Sequence, residues 1–437
     1  MFLTKNEVKI IEFIKRFALS LSFKTVPRIA GGWVRDKLLG INSDDIDIAI
    51  QNISGYKFAE LLLEWGNLNK NIHKISANPE KSKHLETAVV HLFGRDVDFV
   101  ILRTEVYSDT RIPEIRPGTA EEDSLRRDMT INSLFYNIIT GCIEDFTGKG
   151  LLDLKNGILR TPLSPKQTFL DDPLRILRFF RFHAKFKFFL VSEVCDAIQQ
   201  NEIQNAFTTK ISAERIWKEI YKMLLYPEGT LGLLKLVSLN FIFPIFKFNY
   251  QNLCGKSNIF YKKTKRFYHL LENRDYLVLV KIFTIFHVLD AEKCQFIFKE
   301  ILKAPGFFIK SSTLIYKNFS KIDLIFDERK CIILRNLIFY MLEAKELWKV
   351  CFIIYFGIND GFEMEMILKE ITVLELERKC FYKKFKVNGT NLKPFLDKQI
   401  SSMGFYLKVC KMLEVENENL NAEEIIKMAL KEYSISK

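Results

Sequence analysis

The sequence predicts an α+β fold, in which strands in the first part of the chain are followed by a long helical part. Alternation of apolar and polar residues, which is typical of strands, occurs before Thr161, whereas helix-period segments dominate the second half. Gly and Pro are few, at 19 and 11 of 437 residues, which also favours helices. A chain of this length is too long for one hydrophobic core, so we expect two to four domains.

A glycine turn at Gly31 and Gly32 is the first sign of chemistry. It joins a predicted strand, Arg28–Ala30, to a short helix that we expect to end at Leu39. Backbone N–H groups at the start of a helix bind phosphate groups well. A lone pair of glycines is usually only a turn, so this signal needs support from neighbouring residues.

Two aspartates follow on the next predicted strand. Strand side chains alternate between faces, so Asp45 and Asp47 share one face while Ile46 and Ile48 point into a core. Paired carboxylates are ligands suited to Mg²⁺. Such a pair alone is common on solvated loops, but its combination with the glycine turn predicts metal-assisted nucleotidyl or phosphoryl transfer.

The segments that follow predict one helix and three further strands. The helix covers Gly55–Trp65, and the strands cover Ile72–Ser76, Thr87–Phe93 and Asp96–Leu102, with a polar turn at Asn78–Glu86 between the first two.

Asp98 lies within the third of these apolar strands. Because an unpaired buried carboxylate is costly, we favour a third metal ligand over a solvated edge position. The stretch Thr104–Thr119 has no period and is expected to be a mobile loop beside the site.

A helical pattern is predicted for Ser124–Asn137, with Arg126, Arg127, Asp128 and Asn132 on its polar side. Residues four apart on a helix share a face, as Asp128 and Asn132 would. Two interpretations stay open here: a solvent-facing surface with an ordinary ion pair, or a clamp for a ribose and a triphosphate.

The stretch Cys142–Thr161 predicts two short strands around a glycine-rich turn, and we expect a hinge there. In the next predicted helix, Phe169–Phe182, the side chains of Asp172, Arg175 and Arg178 are spaced three residues apart along one face. A carboxylate and a guanidinium on one face could meet the edge of a base, but a helix cap with surface arginines is an equal alternative at this point.

The rest of the chain is helical, apolar and basic. A further helix is predicted over Ile211–Ile220, with Ser212 as its N-cap. Cations alternate with aromatic residues between Tyr261 and Tyr268, as in contacts with an RNA backbone, although a charged helix face explains the pattern nearly as well. The cations are Lys262, Lys263, Lys265 and Arg266.

Composition narrows the class of protein. The net charge of +12 favours a polyanionic partner, although basic surfaces are also common on proteins without one. Eight scattered cysteines without CxxC spacing argue against structural zinc and for a reducing compartment. Charges interrupt the apolar residues at the N-terminus, and apolar runs are too short to span a bilayer, so we expect neither a signal peptide nor a membrane segment. We expect a cytoplasmic protein, with nuclear entry left open.

These motifs closely resemble those of the class II tRNA nucleotidyltransferases, the CCA-adding enzymes, in their eukaryotic form. In chain order the matching segments are GGWVRDKLLG with DDIDIAI, NPEKSKHLET, LRTEVY, RRDMTINS, DFTGKGLLDL, DDPLR and ISAERIWKEI. The sequence departs from the family pattern at Ser133, where alanine is usual, and at Asp171, where glutamate is usual. The ordered match covers Arg28 to Ile220.

The resemblance implies a small polymerase-β-like nucleotidyltransferase head, with a mixed sheet and flanking helices, followed by an all-α neck, body and tail. We place these domains at residues 1–155, 156–230, 231–335 and 336–437. It also implies stepwise addition of CCA to the 3′ end of tRNA from CTP and ATP, without a nucleic-acid template, with two Mg²⁺ ions and release of pyrophosphate. The partner would be the tRNA acceptor arm, and we expect a monomer.

The resemblance also assigns roles to individual residues. Asp45, Asp47 and Asp98 would be the metal-binding and catalytic carboxylates. Nucleotide binding would divide into triphosphate, ribose and base contacts. These are, in that order, Gly31, Gly32 and Arg35; Arg127, Asp128 and Asn132; and Asp172 and Arg175. Arg178 would also bind the nucleotide.

Other functions fit the same motifs. A CC-adding enzyme, an A-adding enzyme or a poly(A) polymerase would share all of them. Non-catalytic RNA-binding proteins and metabolic kinases or phosphohydrolases are more remote alternatives, because the first has no need of Asp45 and Asp47 and the second has no need of Asp172 and Arg175.

Overall fold

A computed structural model describes residues 2–43, 45–75, 87–106, 114–326, 332–359, 364–396 and 402–433. The chain divides into two compact units, residues 1–245 and 246–437. The turn predicted at Asn78–Glu86 lies outside the described residues.

A seven-stranded mixed sheet is the centre of the first unit, in the order β3-β4-β5-β2-β1-β8-β9. Strands β2 and β5 pair in parallel, and the other neighbours in this sheet pair antiparallel. In chain order the strands are β1 (Arg28–Ala30), β2 (Ile46–Ile50), β3 (His73–Ile75), β4 (Thr87–Leu92), β5 (Arg95–Ile101), β6 (Arg103–Val106), β7 (Glu114–Pro117), β8 (Phe135–Asn137), β9 (Ile143–Glu144), β10 (Ile158–Leu159) and β11 (Phe189–Leu190).

Helices flank this sheet and continue beyond it, which confirms the predicted α+β class. In chain order the helices of the first unit are α1 (Lys5–Ser20), α2 (Gly32–Leu38), α3 (Gly55–Trp65), α4 (Ala120–Leu125), α5 (Gly150–Asn156), α6 (Pro165–Asp171), α7 (Arg175–Phe186), α8 (Ser192–Ile198), α9 (Asn201–Lys210), α10 (Ala213–Leu225) and α11 (Gly229–Ser238), with α12 (Ile242–Phe246) at its end.

The alternation predicted for β2 is confirmed. Ile46 and Ile48 are 2% and 0% exposed, whereas Asp47 between them is exposed. Strand β4 ends one residue earlier than predicted, because Phe93 and Gly94 both have positive φ and form the turn into β5.

Three local predictions for the first unit are wrong. The predicted helix Ser124–Asn137 is the end of α4, a turn, a 3₁₀ segment and β8. The turn is held by the hydroxyl of Ser133, which donates to the carbonyls of Ser124 and Met129. The described ends of the predicted loop Thr104–Thr119 form a two-stranded sheet of β6 and β7, and residues 107–113 of the loop lie outside the described residues. The predicted helix Phe169–Phe182 is divided between α6 and α7, with Asp172 as the C-cap of α6.

Two further differences concern the hinge and the neck. The predicted hinge Cys142–Thr161 contains the helix α5 between its strands. Strands β10 and β11 pair in parallel, so the part that was expected to be all-α includes a small sheet.

The second unit is helical. Its helices are α13 (Leu253–Thr264), α14 (Arg274–Phe286), α15 (Ala291–Phe296), α16 (Gly306–Ile322), α17 (Leu334–Ala344), α18 (Trp348–Ile358), α19 (Met364–Val373), α20 (Gly389–Leu392), α21 (Met403–Glu416) and α22 (Ala422–Glu432). No helix in the described ranges of either unit is long and apolar enough to cross a membrane.

Helix α1 is anchored by a buried carboxylate. Glu7 forms a capping box with Thr4 and is 1% exposed. It accepts from the indole N–H of Trp33 at 3.0 Å and lies 2.8 Å from the ammonium of Lys37, both on α2. Since α2 follows the glycine turn directly, this contact fixes α1 to the element that positions the site.

Replacing Glu7 with Ala should lower the free energy of unfolding by about 3 kcal/mol, because the buried Lys37 ammonium would lose its counter-charge. Calorimetric unfolding of the full chain measures this change. Glu12→Ala removes an exposed carboxylate from the same helix and should change stability by less than about 0.5 kcal/mol. Equal effects of the two substitutions would contradict the anchoring role.

Candidate active site

The carboxylates predicted to bind metal lie on the parallel strand pair. Asp47 on β2 is directly opposite Asp98 on β5, and Asp45 immediately precedes β2. Burial, followed by the charges of Asp47 and Asp45, raises the pKa of Asp98 to about 6. The pKa of Asp47 is also raised, because neighbouring protein groups displace part of the water around its carboxylate and outweigh the charge of Arg127. Asp98 thus lies among acidic groups, an arrangement that a cation would stabilise.

Two cavities share Asp45 and Asp47 in their walls. The first, of about 700 Å³, is the arginine-rich cavity, and the second, of about 790 Å³, is the acidic cavity. The arginine-rich cavity is lined by Ala30, Gly32, Arg35, Asp45, Asp47, Val100, Arg103, Glu105, Arg126, Arg127, Asp128, Asn132, Asp172, Leu174, Arg175, Arg178 and Arg215. The acidic cavity is lined by Asn6, Asp45, Ile46, Asp47, His91, Gly94, Arg95, Asp96 and Asp98.

The arginine-rich cavity brings together most of the predicted site. Ten of the predicted residues line it, although they come from segments more than a hundred positions apart in the chain. Of the three predicted metal-binding carboxylates, Asp98 is the one that lines the acidic cavity without lining the arginine-rich cavity.

The carboxylates fit a metal that also takes ligands from elsewhere. Within the described residues, no three His, Cys, Asp or Glu side chains converge closely enough to form a metal-binding group by themselves. Mg²⁺ is commonly held by one or two carboxylates together with substrate phosphates and water. Asp45 and Asp47, which lie beside a cavity rich in guanidinium groups, match that kind of site.

The glycine turn is tightly packed. Gly31 has φ +64°, and a Cβ there would lie 2.5 Å from Nη1 of Arg127. Its N–H donates to the carbonyl of Leu134 at 2.8 Å, so the backbone donors that remain available to a ligand begin with Gly32 at the start of α2. The turn therefore requires glycine and sets the position of Arg127.

Asp128 is a buried carboxylate with two hydrogen-bond donors. Arg178 Nε donates to its Oδ2 at 2.7 Å, and Asn132 Nδ2 donates to its Oδ1 at 2.9 Å. Burial would raise the pKa of Asp128, but the charge of Arg178 and the Asn132 hydrogen bond outweigh it and hold the pKa well below its usual range. The pairing of Asp128 with Asn132 is thus present without the predicted helix.

Arg35 lies between two aromatic rings. Its guanidinium carbon is 4.9 Å from the ring centre of Phe182 and 5.1 Å from that of Phe186, both on α7. It donates to Asn132 Oδ1 and, at 2.8 Å, to Asp36. Arg35 is therefore held rigidly in the cavity wall.

The two residues predicted to read a base are fixed in the cavity wall by neighbouring groups. Asp172 accepts from the N–H of Leu174 and lies 3.2 Å from Nη2 of Arg215. Arg175 is 8% exposed and donates to the carbonyl of Arg126 at 2.7 Å. Asp172 precedes α7 and does not lie on it, so the two side chains meet at the cavity through the bend between α6 and α7.

Sequence reasoning missed three charged residues of the cavity and placed a fourth, Arg126, only on the polar side of a predicted helix. Glu105 on β6 pairs with Arg103 at 2.9 Å and with Arg126 at 3.0 Å, and Arg215 on α10 pairs with Asp172. All of them belong to segments that match the family motifs or lie next to one, so position within a motif was the available signal. Their pairing partners depend on contacts between distant segments.

The basic cluster at 262–266 belongs to the second unit. Lys262, Lys265 and Arg266 are exposed, and Lys263 is half-buried. Arg266 pairs with Glu365 at 3.1 Å and lies over Phe267 and Phe356, so it is also part of the packing of that unit.

Two family models match the first unit. Residues 27–160 match the Poly A polymerase head domain, which contains the strands and turns of the site up to β10. Residues 187–249 match a region described as the probable RNA and SrmB-binding site of polymerase A.

Two fungal proteins with similar sequences are named as mitochondrial CCA tRNA nucleotidyltransferases. The mitochondrial CCA tRNA nucleotidyltransferase of Saccharomyces cerevisiae is 46% identical over 308 residues, which are 66% of this chain and 55% of that protein. The protein of the same name from Candida glabrata is 51% identical over 246 residues, covering 53% of this chain and 46% of that protein. The chain thus spans about half the length of these relatives.

Solved structures share the fold along nearly the whole chain. A CCA-adding enzyme in an apo form superimposes with a TM-score of 0.73 at 20% identity, covering 99% of this chain and 97% of that one. The CCA-adding enzyme of Thermotoga maritima in complex with tRNA gives a TM-score of 0.70 at 19% identity, covering 98% and 96%. Residues 27–160 of this chain thus resemble the Poly A polymerase head domain, and the fold of the chain is that of solved CCA-adding enzymes.

Proposed function

We propose that this protein adds CCA stepwise to the 3′ end of tRNA, using CTP and ATP without a nucleic-acid template and releasing pyrophosphate. The observation that carries the proposal is the convergence on one cavity of Asp45 and Asp47, the set around Asp128, and the pair Asp172 and Arg175. A metal site, a ribose site and a base site within a single cavity are what template-free transfer of a selected nucleotide requires.

Base selection would depend on Asp172 and Arg175. The carboxylate would accept from the exocyclic amine of C or A, and the guanidinium would donate to a ring nitrogen. U and G present a carbonyl instead of the amine, which leaves buried groups unpaired at about 1–3 kcal/mol each. Because Arg215 and Arg126 hold the two side chains, little conformational freedom would be lost on binding.

The triphosphate would lie against Gly32, Arg35 and Arg127, where backbone donors and guanidinium groups face the same cavity. We assign Asp45 and Asp47 as metal ligands, with Asp98 as the third. When bound there, two Mg²⁺ ions supply an activated 3′-hydroxyl and charge stabilisation for the leaving pyrophosphate. The acidic cavity, which shares Asp45 and Asp47 with the arginine-rich cavity, is the place we propose for the 3′ end of the acceptor.

A tRNA partner is supported by the charge distribution. Residues 246–437 carry 32 Lys and Arg against 23 Asp and Glu, so most of the net positive charge lies in the second unit. One solved structure of the same fold is a complex with tRNA. We propose that this unit, including Lys262, Lys263 and Lys265, contacts the acceptor arm, and that neck, body and tail divide at residues 156, 231 and 336.

The proposed location is the cytoplasm, with entry into the nucleus as an additional site. Mitochondria are the competing location, because the names of the two fungal relatives include that organelle. Fractionation of cells that express the tagged chain distinguishes these compartments.

The decisive experiment supplies the purified chain with tRNA that lacks CCA, and with CTP and ATP separately and together. We expect two C residues with CTP alone and a complete CCA end with both nucleotides. Addition that stops after CC would assign a CC-adding enzyme, and addition of A only to tRNA ending in CC would assign an A-adding enzyme. Long A tracts would assign a poly(A) polymerase.

Asp47→Ala should lose incorporation and retain tRNA binding, and near-normal addition by this variant would refute the metal assignment.

Arg175→Ala should lower the preference for CTP and ATP over UTP and GTP by about 10- to 100-fold, since the lost donor is worth about 1–3 kcal/mol. Single-nucleotide incorporation kinetics measure kcat/KM for CTP, ATP, UTP and GTP. Unchanged selectivity in a variant that melts like the wild type would contradict base reading by Arg175.

Gly31→Ala should raise the KM for CTP severalfold, because the new methyl group would displace the guanidinium of Arg127. It should also lower stability by about 1–2 kcal/mol through backbone strain. Gly40→Ala is the matched control, because Gly40 has φ +72° but open space around its Cβ position. Gly40→Ala should lower stability without raising the KM for CTP. A similar KM for CTP in both variants would contradict the role assigned to crowding at Arg127.

A further inference from the structure

Arg178 lies on α7 one turn after Arg175, yet its main contact is with the head. Its Nε donates to Asp128 Oδ2 at 2.7 Å across 50 positions of the chain. The side chain of Asp128 is 7% exposed, whereas that of Arg178 is 36% exposed. Helix α7, which carries the proposed base-reading residue Arg175, therefore also holds the carboxylate of Asp128, the proposed ribose-binding residue.

The other donor to Asp128 is also linked to α7. Asn132 Nδ2 donates to Asp128, and Asn132 Oδ1 accepts from Arg35. Arg35 in turn lies against the rings of Phe182 and Phe186 on α7. Oδ2 of Asp128 is thus held by a side chain of α7, and Oδ1 is linked to α7 through Asn132 and Arg35.

We propose that Arg178 is a positioning residue that gives the enzyme its selectivity for ribonucleotides by acting through Asp128. The inference rests on the proposed function, because it assumes that the sugar of the incoming nucleotide lies at Asp128. It differs from a direct nucleotide contact by Arg178, which the sequence motif alone would favour.

Asp128 keeps acceptor sites for a ligand in this arrangement. An ionised carboxylate has about four lone-pair sites, and two of these are used by Arg178 and Asn132, so acceptor sites remain for a 2′-hydroxyl. A buried carboxylate without a cationic partner tends to become protonated, and it then presents a donor in place of an acceptor. The charge of Arg178 keeps Asp128 ionised, and its Nε fixes which lone pairs face the cavity.

Arg175 and Arg178 would select different parts of the incoming nucleotide. Arg175 would act on the base, and Arg178, one helical turn away, would act on the sugar through Asp128. Sugar and base selectivity are then two separable outputs of one helix. Substitution of Arg178 should change the first output and leave the second intact.

The test compares incorporation of CTP with that of dCTP, and of CTP with that of UTP, on tRNA lacking CCA. In Arg178→Ala we expect the CTP/dCTP ratio of kcat/KM to fall at least about tenfold, the size of effect of one hydrogen bond to a charged group. The CTP/UTP ratio should stay within about twofold of the wild-type value. Arg178→Lys keeps the charge and loses the fixed Nε donor. Its CTP/dCTP ratio should lie between those of the wild type and Arg178→Ala.

Two further variants separate positioning from general damage. Arg181→Ala removes an arginine from the same helix that pairs with Glu219 at 2.7 Å, and it should leave both ratios unchanged. Asp128→Asn should lose sugar discrimination by itself, and adding Arg178→Ala to it should cause no further loss.

The possible outcomes are distinct. If the wild type adds no nucleotide, the proposed function fails. If the wild type is active but Arg178→Ala lowers CTP and dCTP incorporation equally, Arg178 acts on the triphosphate or on stability, and the inference is overturned. If the double variant loses more sugar discrimination than Asp128→Asn alone, Arg178 acts independently of Asp128, and the inference is likewise overturned.

Discussion

The parallel pairing of β2 with β5 is the constraint on which the site depends. It places Asp47 opposite Asp98 and, through the neighbouring pair of β2 and β1, brings the glycine turn to the same edge of the sheet. A shift of one residue would turn Asp47 into the core and expose Ile46 and Ile48. The burial of these isoleucines therefore fixes the register, and the register fixes the carboxylates.

The cavity beside this edge is a set of charges that hold one another in place. Guanidinium groups that could bind a nucleotide are oriented by acidic partners: Asp123 holds Arg126 and Arg127, Asp172 holds Arg215, and Asp128 holds Arg178. Such pairing costs desolvation energy, but it leaves the donors in fixed directions before a ligand arrives. The proposed template-free transfer would gain from this rigidity, because the protein's own side chains would have to provide the pattern that a template strand otherwise supplies.

Local periodicity failed where side chains were satisfied by contacts other than those of a regular helix. The stretch Ser124–Asn137 has a helical spacing of apolar residues, but the hydroxyl of Ser133 binds backbone carbonyls within a turn. The stretch Thr104–Thr119 has no period, yet its described ends form strands because β6 and β7 pair with each other. Both errors lie beside the cavity, where polar contacts compete with the regular pattern.

The sequence by itself determined the strand, turn and helix that carry Gly31 and Gly32, the burial of β2, and the set of residues that the cavity would bring together. The set was incomplete, because Arg103, Glu105 and Arg215 also line the cavity and Asp98 does not. These features depend on spacing within a short segment, or on motifs that a family shares. Only the tertiary structure decided which partner each charged side chain takes. Arg178 meets Asp128 across 50 positions, and Arg215 meets Asp172 across 43. Such choices depend on how distant elements pack, and no local pattern records the distance between two side chains that meet only after folding.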